Sequence, residues 1–385
     1  MVKLARRVNI IGASKIEESL SILEQHPEII SLGAGEPDFP APPNVVKSAE
    51  RFLEKGYTHY SPLQGRHELR EAVAKKLREE NKIDADKEEV IITCGSKEAI
   101  LLSVLTLVNP HDEVIIPDPG YVAYRPIVEL IDGKAVPLRL DEKDGFEYHP
   151  ENLKKLITKK TKLIIVNSPS NPTGTVLSKK VLEELADIAI DRDLMILSDE
   201  AYEKLVYDDA KHVSIASLNG MKEHVITTQT FSKTFAMCGF RVGYATATKE
   251  IVKEMKKFKL TTTLSAPTFS QLAAVEALRN SKKYVEKMVR EYNRRRKMLI
   301  KRLNRMPNVS CVKPSGAFYA FPNISGLKMK SDKAVDFLIK KAKVISIPGT
   351  EFGKYGEGYA RFSYATSYEN IEAALSRIEK AIGNI

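Results

Sequence analysis

The 385 residues carry 60 Lys and Arg against 50 Asp and Glu, a net charge of +10, with 43% hydrophobic and 29% charged residues. That length supports more than one lobe with its own core, and the composition excludes a disordered, collagenous or membrane-spanning chain. Cys94, Cys238 and Cys311 are too few and too widely spaced for a disulfide framework or a zinc site, which points to a reducing cytoplasm.

In chain order, the basic N-terminal stretch MVKLARRVNIIGASKIEES has too short an apolar run for a signal peptide. GAGEPD (33–38) lacks the third glycine of a dinucleotide fingerprint, and nothing matches G-x-x-x-x-G-K-[ST]. From residue 89 to 247 short β-branched runs alternate with helical patterns. EVIIT (89–93), EVIIP (113–117), KLIIVN (162–167), LMILSD (194–199), VITTQ (225–229) and RVGYAT (241–246) read as buried strands. Between most of them lie helix-length segments such as SKKVLEELADIAIDRD. The alternation predicts an α/β unit with a mainly parallel sheet covered on both faces.

From about residue 285 the texture changes to a long basic helical pattern, then GAFYAFPNI, a further helix, AKVISIPG, YARFSYAT and a last helix. This predicts a smaller α+β domain. The expected division is 1–45, an N-terminal arm with part of the small domain; 46–284, the large domain; and 285–385, the small C-terminal domain. The densest basic cluster, RRRKMLIKR (294–302), reads as the solvated face of an amphipathic helix. No helix-turn-helix, zinc or RNP signature accompanies it, so no nucleic-acid partner is expected.

Ligands of open parallel sheets bind beyond the carboxyl ends of the strands. Asn167 stands there before SPSNPTG, Asp199 follows LMILS, and Ser232 and Lys233 follow VITTQTF. After the first of these strands, Gly95, Ser96 and Lys97 open a helix whose free N–H groups suit a phosphate; an N-cap serine without a ligand is the plainer reading. Lys233 and Arg241 lie in TFSKTFAMCGFRVGY (230–244), otherwise apolar and small. Cations facing inward from such a segment need partners. A phosphate-bearing aldehyde fits: a lysine forms a Schiff base with it, and an acid, here Asp199, partners a pyridinium nitrogen. Taken singly, Asp199 also suits a helix cap and Lys233 a solvated side chain.

SLGAGEPDF (31–39), YTHYSPLQGRHELREAVA (57–74), NSPSNPTG (167–174), LSDEAYEKLVYD (197–208), TFSKTFAMCGFRVGY and YARFSYAT (359–366) occur in an order that resembles the class I and II aminotransferases, fold type I enzymes, over essentially the whole chain. The closest resemblance is to their aspartate aminotransferase-like archaeal and bacterial subgroup. It implies pyridoxal 5′-phosphate, no metal, and a homodimer with shared active sites.

The resemblance also implies residue roles. Lys233 forms the Schiff base and then shuttles the proton between the substrate Cα and the cofactor. Asp199 pairs with the pyridinium nitrogen, and Tyr202 and Asn171 hydrogen-bond the ring's phenolic oxygen. Arg241, Ser232, Thr230 and the amides of Gly95, Ser96 and Lys97 hold the phosphate, and Tyr121 stacks on the ring. Tyr60 reaches the partner's phosphate. Arg361 clamps the substrate α-carboxylate, with Gly35 and Asn171 beside it, and Lys97 reads a distal carboxylate; Ile16, where a hydroxyl is common in aspartate-using members, speaks against the last. The expected reaction is ping-pong amino transfer from an L-amino acid, aspartate foremost, to a 2-oxo acid such as 2-oxoglutarate. Alanine or aromatic donors and a C–S lyase on the same fold are the alternatives. A PLP-binding DNA-associated regulator would need a DNA-binding domain, for which no motif is present.

Overall fold

The computed structural model describes residues 3–10, 12 and 15–383. Ile16 belongs to the helix Lys15–Gln25, but its side chain lies outside the described part. After the short strand β1 (Ile30–Ser31), seven strands build one sheet: β2 (Val90–Thr93), β3 (Glu113–Asp118), β4 (Lys134–Arg139), β5 (Thr161–Asn167), β6 (Met195–Asp199), β7 (Val225–Thr230) and β8 (Gly243–Thr246). Their order is β2-β8-β7-β6-β5-β3-β4, parallel except for β8, which runs antiparallel to both neighbours. The sheet is therefore mainly parallel, as the strand–helix alternation predicts.

The central strands are buried on both faces, which is why they read as unbroken apolar runs. Successive residues serve opposite layers. Leu163 and Ile165 pack with Ile100 and Leu102 of the helix Ser96–Leu107, while Ile164 and Val166 pack with Leu182 and Leu185 of Lys179–Asp191. Ser178 caps that second helix, its side chain accepting the Val181 N–H at 3.3 Å. β4 is the strand that sequence patterning does not predict. It lies at the sheet edge, carries charges at both ends and tolerates Pro137.

The small lobe adds β9 (Tyr319–Ala320), β10 (Val344–Ile345), β11 (Ile347–Pro348) and β12 (Ala360–Ser363). β1 pairs in parallel with β10, and β11-β12-β9 form an antiparallel sheet. Its core gathers Tyr292, Leu299, Phe318, Phe362 and Leu375, together with Tyr202 and Leu205 from beyond β6. The helix Lys282–Leu303 runs into this core, and here the structure corrects the solvated-face reading of its basic cluster. Arg295 and Arg296 are buried. Arg295 donates to both Asp38 oxygens at 2.8 and 2.9 Å, and Arg296 donates to Asp208 at 2.6 Å. Consecutive arginines on a helix cannot all face water, and the pair that turns inward brings its guanidinium groups to carboxylates.

One further tie joins the lobes. Asp118, at the carboxyl end of β3, accepts the backbone N–H groups of Lys354 and Tyr355 at 3.1 and 3.0 Å. Gly353 has φ +128°, and a Cβ there would sit 2.1 Å from the Asp118 carboxylate, so this close approach requires glycine.

Candidate active site

The register of the sheet brings the candidate residues to one edge. Asn167 lies opposite Asp199, Asp199 opposite Thr228, and Thr230 opposite Gly243, which also faces Thr93 across β2. Because β8 is antiparallel, its first residue reaches the edge where the parallel strands end, and this delivers Arg241 to the start of the helix Ser96–Leu107. Beyond the edge is a cavity of about 230 Å³ whose lining includes Lys233, Asp199, Tyr202, Asn171, Arg361 and Gly35, with Ser96, Lys97 and Tyr121.

Asp199 is buried. Its carboxylate accepts the Tyr124 hydroxyl at 2.7 Å and the Ala201 N–H at 3.2 Å, while Asn167 Nδ2 donates to its carbonyl at 3.0 Å. Burial raises the carboxyl to about 6, and the hydrogen bonds from Tyr124 and Ala201 hold it from going higher. Lys233, half-buried, donates to the Gly35 carbonyl at 2.7 Å. Tyr202 shares a hydrogen bond with Tyr319, hydroxyl to hydroxyl at 3.0 Å, and burial pushes its phenol well above 10.

Arg361 projects from β12 and is 3% exposed. It donates to Asn171 Oδ1 at 3.1 Å and to the Gly33 carbonyl at 2.8 Å, lies 4.4 Å from the Tyr319 ring centroid, and has a buried Nε without a hydrogen-bond partner. Lys97 is exposed and stands 6.0 Å from the Tyr121 ring centroid.

The helix start beside this cavity is built for close approach. Gly95 is the N-cap with φ +90° and no side-chain cap bond. A Cβ on Gly95 would lie 2.9 Å from an Arg241 terminal nitrogen, and one on Gly243 would lie 2.8 Å from the Gly95 Cα. Thr230 and Ser232 turn toward each other, with 3.0 Å between their hydroxyls. Arg241 does not face inward as the sequence suggests. It is exposed, in the left-handed region with φ 55°, and its guanidinium donates to the Cys94 and Cys238 carbonyls at 2.9 Å each. Backbone carbonyls at the turn satisfy the charge at the surface, so burial is unnecessary. Tyr60 is 84% exposed and lines no part of its own chain's cavity.

Tyr124 and Tyr319 are functional-site residues that the sequence does not single out. Tyr124 is three positions past Tyr121 in PDPGYVAY, and Tyr319 lies within GAFYAF. A buried tyrosine needs a partner for its hydroxyl, but nothing local names that partner. Behind the site, Glu200, Glu203 and His212 bring ligand atoms within 4.8 Å of one another. Their carboxylates already take hydrogen bonds from Ser198, Ser214, Asn81 and Gln229 at 2.6–3.1 Å.

A lysine, a buried carboxylate, a buried arginine and an open helix start thus meet around one cavity. The family described as aminotransferase class I and II matches residues 27–378. The chain is 45% identical to an aspartate aminotransferase of Pyrococcus abyssi and 47% identical to aromatic-amino-acid aminotransferase 2 of Thermococcus litoralis, in each case over 98% of both chains. A solved aromatic aminotransferase from Pyrococcus horikoshii superposes with a TM-score of 0.91 at 46% identity, covering 96% of this chain and 99% of that one. Among the described residues no helix is long and apolar enough to cross a membrane. The chain belongs to the class I and II aminotransferases.

Proposed function

We propose that the cavity holds pyridoxal 5′-phosphate and that the enzyme moves the amino group of L-aspartate to 2-oxoglutarate in two half-reactions. The observation that carries this reading is the convergence of Lys233 on one cavity with two buried groups of opposite charge, Asp199 and Arg361, neither of which makes an ion pair among the described residues. Asp199, raised to about 6 by burial, gains from a cationic ring nitrogen. The partnerless Nε of Arg361 gains from a bidentate carboxylate. Gly95, Gly243 and Arg241 pack so closely that a Cβ on either glycine would clash, which holds the helix start and its N–H groups, suited to a phosphate, beside the cavity.

When bound, pyridoxal phosphate supplies an aldehyde that condenses with amines and a ring that takes up the electron pair released at the substrate Cα. The chain's residues do the rest. Lys233 takes the proton from Cα and returns it. Asp199 holds the ring nitrogen, and Tyr202, positioned by Tyr319, orients the ring oxygen with Asn171. Tyr121 covers the ring. Arg361 orients the substrate by its α-carboxylate, next to the Gly35 backbone. Ser96, Ser232, Thr230 and Arg241 hold the phosphate. The free thiols of Cys94, Cys238 and Cys311 fit a cytoplasmic setting.

Aspartate is favoured because Lys97, exposed at the cavity rim, is free to meet a distal carboxylate. Lys97→Ala is expected to lower kcat/KM for aspartate and 2-oxoglutarate about tenfold to a hundredfold, the value of one charge-assisted hydrogen bond (about 1.5–3 kcal/mol), and to leave alanine nearly untouched. Steady-state kinetics on the three substrates decides; an equal loss for alanine assigns Lys97 to the phosphate or the fold. The aromatic side chains of Tyr121 and Tyr319 in the cavity support a second reading, an aromatic donor, which the same assays on phenylalanine distinguish.

The exposure of Tyr60 supports a homodimer in which this tyrosine enters the partner's site. Mixing Lys233→Ala with Tyr60→Ala subunits under exchange is expected to raise activity above either parent, since one site of each mixed dimer is intact. Verified exchange without rescue, given an impaired Tyr60→Ala parent, excludes the shared site.

A further inference from the structure

A second cavity, of about 710 Å³, shares no lining residue with the first. One wall is formed by Thr230, Phe231, Thr234 and Phe235, the residues on either side of Lys233, and the opposite wall by Leu278, Val285 and Val289 from the helices Thr268–Asn280 and Lys282–Leu303. The ion pair of Lys76 and Glu203, both buried, lies among its lining with Gln229.

The charges around it are unbalanced. Five cations face three carboxylates, and two of these cations are already paired, Lys76 with Glu203 and Lys204 with Glu80. Exposed Arg279, Lys282 and Arg290 remain against Glu286 alone, and these three cations make no hydrogen bond or ion pair among the described residues. Small-molecule sites have this volume and this make-up, apolar walls with a few convergent polar groups.

We propose that this cavity is a second binding site, for a small monocarboxylate with an aromatic or aliphatic body. The apolar part lies between Phe231, Phe235 and Val289, and the carboxylate meets Arg279, Lys282 and Arg290. Aspartate and 2-oxoglutarate have no apolar body to cover Phe231, Phe235 and Val289, so neither gains from burying those walls. The occupant is therefore neither substrate of the proposed reaction, and because the wall is the turn that carries Lys233, it sits directly behind the reacting site.

The test is calorimetric titration of the purified holoenzyme with 3-phenylpropionate and with its neutral isostere 3-phenylpropanamide. Binding of the acid is expected in the wild type and in Arg361→Ala, with the amide at least about tenfold weaker, as loss of a charge-assisted contact requires. Val289→Trp, which fills the cavity, abolishes it. Arg290→Glu, on an exposed helix face that does not endanger folding, weakens it at least about tenfold. Absence of binding to the wild type overturns the proposal, whether the cavity is inert or covered by a second copy of the chain. So does binding that is lost in Arg361→Ala and kept in Arg290→Glu, which places the acid in the substrate site, and so does equal affinity for acid and amide.

Discussion

Replacing Lys233 with alanine is expected to lower kcat by at least about 10⁴-fold, the upper end of what one positioned acid–base group supplies, because in the proposed reaction the same amine would also form the covalent link to the cofactor. The geometry gives no understudy. Among the cations of the cavity, Arg361 is committed to Asn171 and the Gly33 carbonyl, and a guanidinium stays protonated at any working pH. Lys97 stands exposed at the rim, 6.0 Å from the Tyr121 ring centroid. Arginine at 233 should not rescue activity, for the same reason of pKa. Turnover is measured as 2-oxo acid formed from a saturating amino donor. Residual activity above about one percent of wild type, a loss smaller than the roughly hundredfold minimum for one acid–base group, would assign the proton transfer elsewhere.

The largest effect on stability is expected at Glu203. Its carboxylate meets the Lys76 ammonium and accepts hydrogen bonds from Asn81 at 2.7 Å and Gln229 at 3.1 Å, with both ions buried. Burial alone would raise the carboxyl, but Lys76, with Lys204 and His212, brings it down to about 2. Glu203→Ala leaves the Lys76 ammonium buried without its counter-ion and is expected to cost about 3–5 kcal/mol, read from the denaturant midpoint. The double variant Lys76→Met/Glu203→Leu should recover most of that loss, since no buried charge remains. A loss no smaller in the double variant than in Glu203→Ala would show that packing, not charge, sets the effect. The sign of the pH dependence follows. A carboxyl lowered from 4.5 to about 2 contributes stability that is present above 4.5 and is lost as pH falls toward 2.

What could be read from the sequence divides along physical lines. The six strands from β2 to β8 other than β4 are legible as short β-branched runs because nearly all their residues are buried, in the antiparallel β2 and β8 as in the parallel strands. β4 is hidden because it is exposed at both ends and only partly buried between them, and at the sheet edge it needs no donor at Pro137. Lys233, Asp199, Asn171 and Arg361 stand in long motifs at strand ends, and the structure brings them to one cavity. Tyr124 and Tyr319 escape notice because each works through a contact with a residue distant in sequence, Asp199 and Tyr202. Arg295 and Arg296 are misread for a related reason. Helical spacing says which residues share a face, but the carboxylates that let an arginine turn inward, Asp38 and Asp208, are set by the tertiary fold. The exposure of Arg241 was hidden in the same way, because its apolar neighbours give no sign of the carbonyls that receive it.

The central claim is amino transfer in two separable halves, and a single-turnover experiment tests it most directly. The enzyme, loaded with pyridoxal phosphate, is mixed with excess aspartate and no acceptor, and oxo acid and ammonia are both quantified. The account predicts about one oxo acid per subunit, no free ammonia, and an amino group that stays with the protein until 2-oxoglutarate collects it. Continuous release of ammonia without an acceptor would contradict it and make the enzyme a lyase on the same fold.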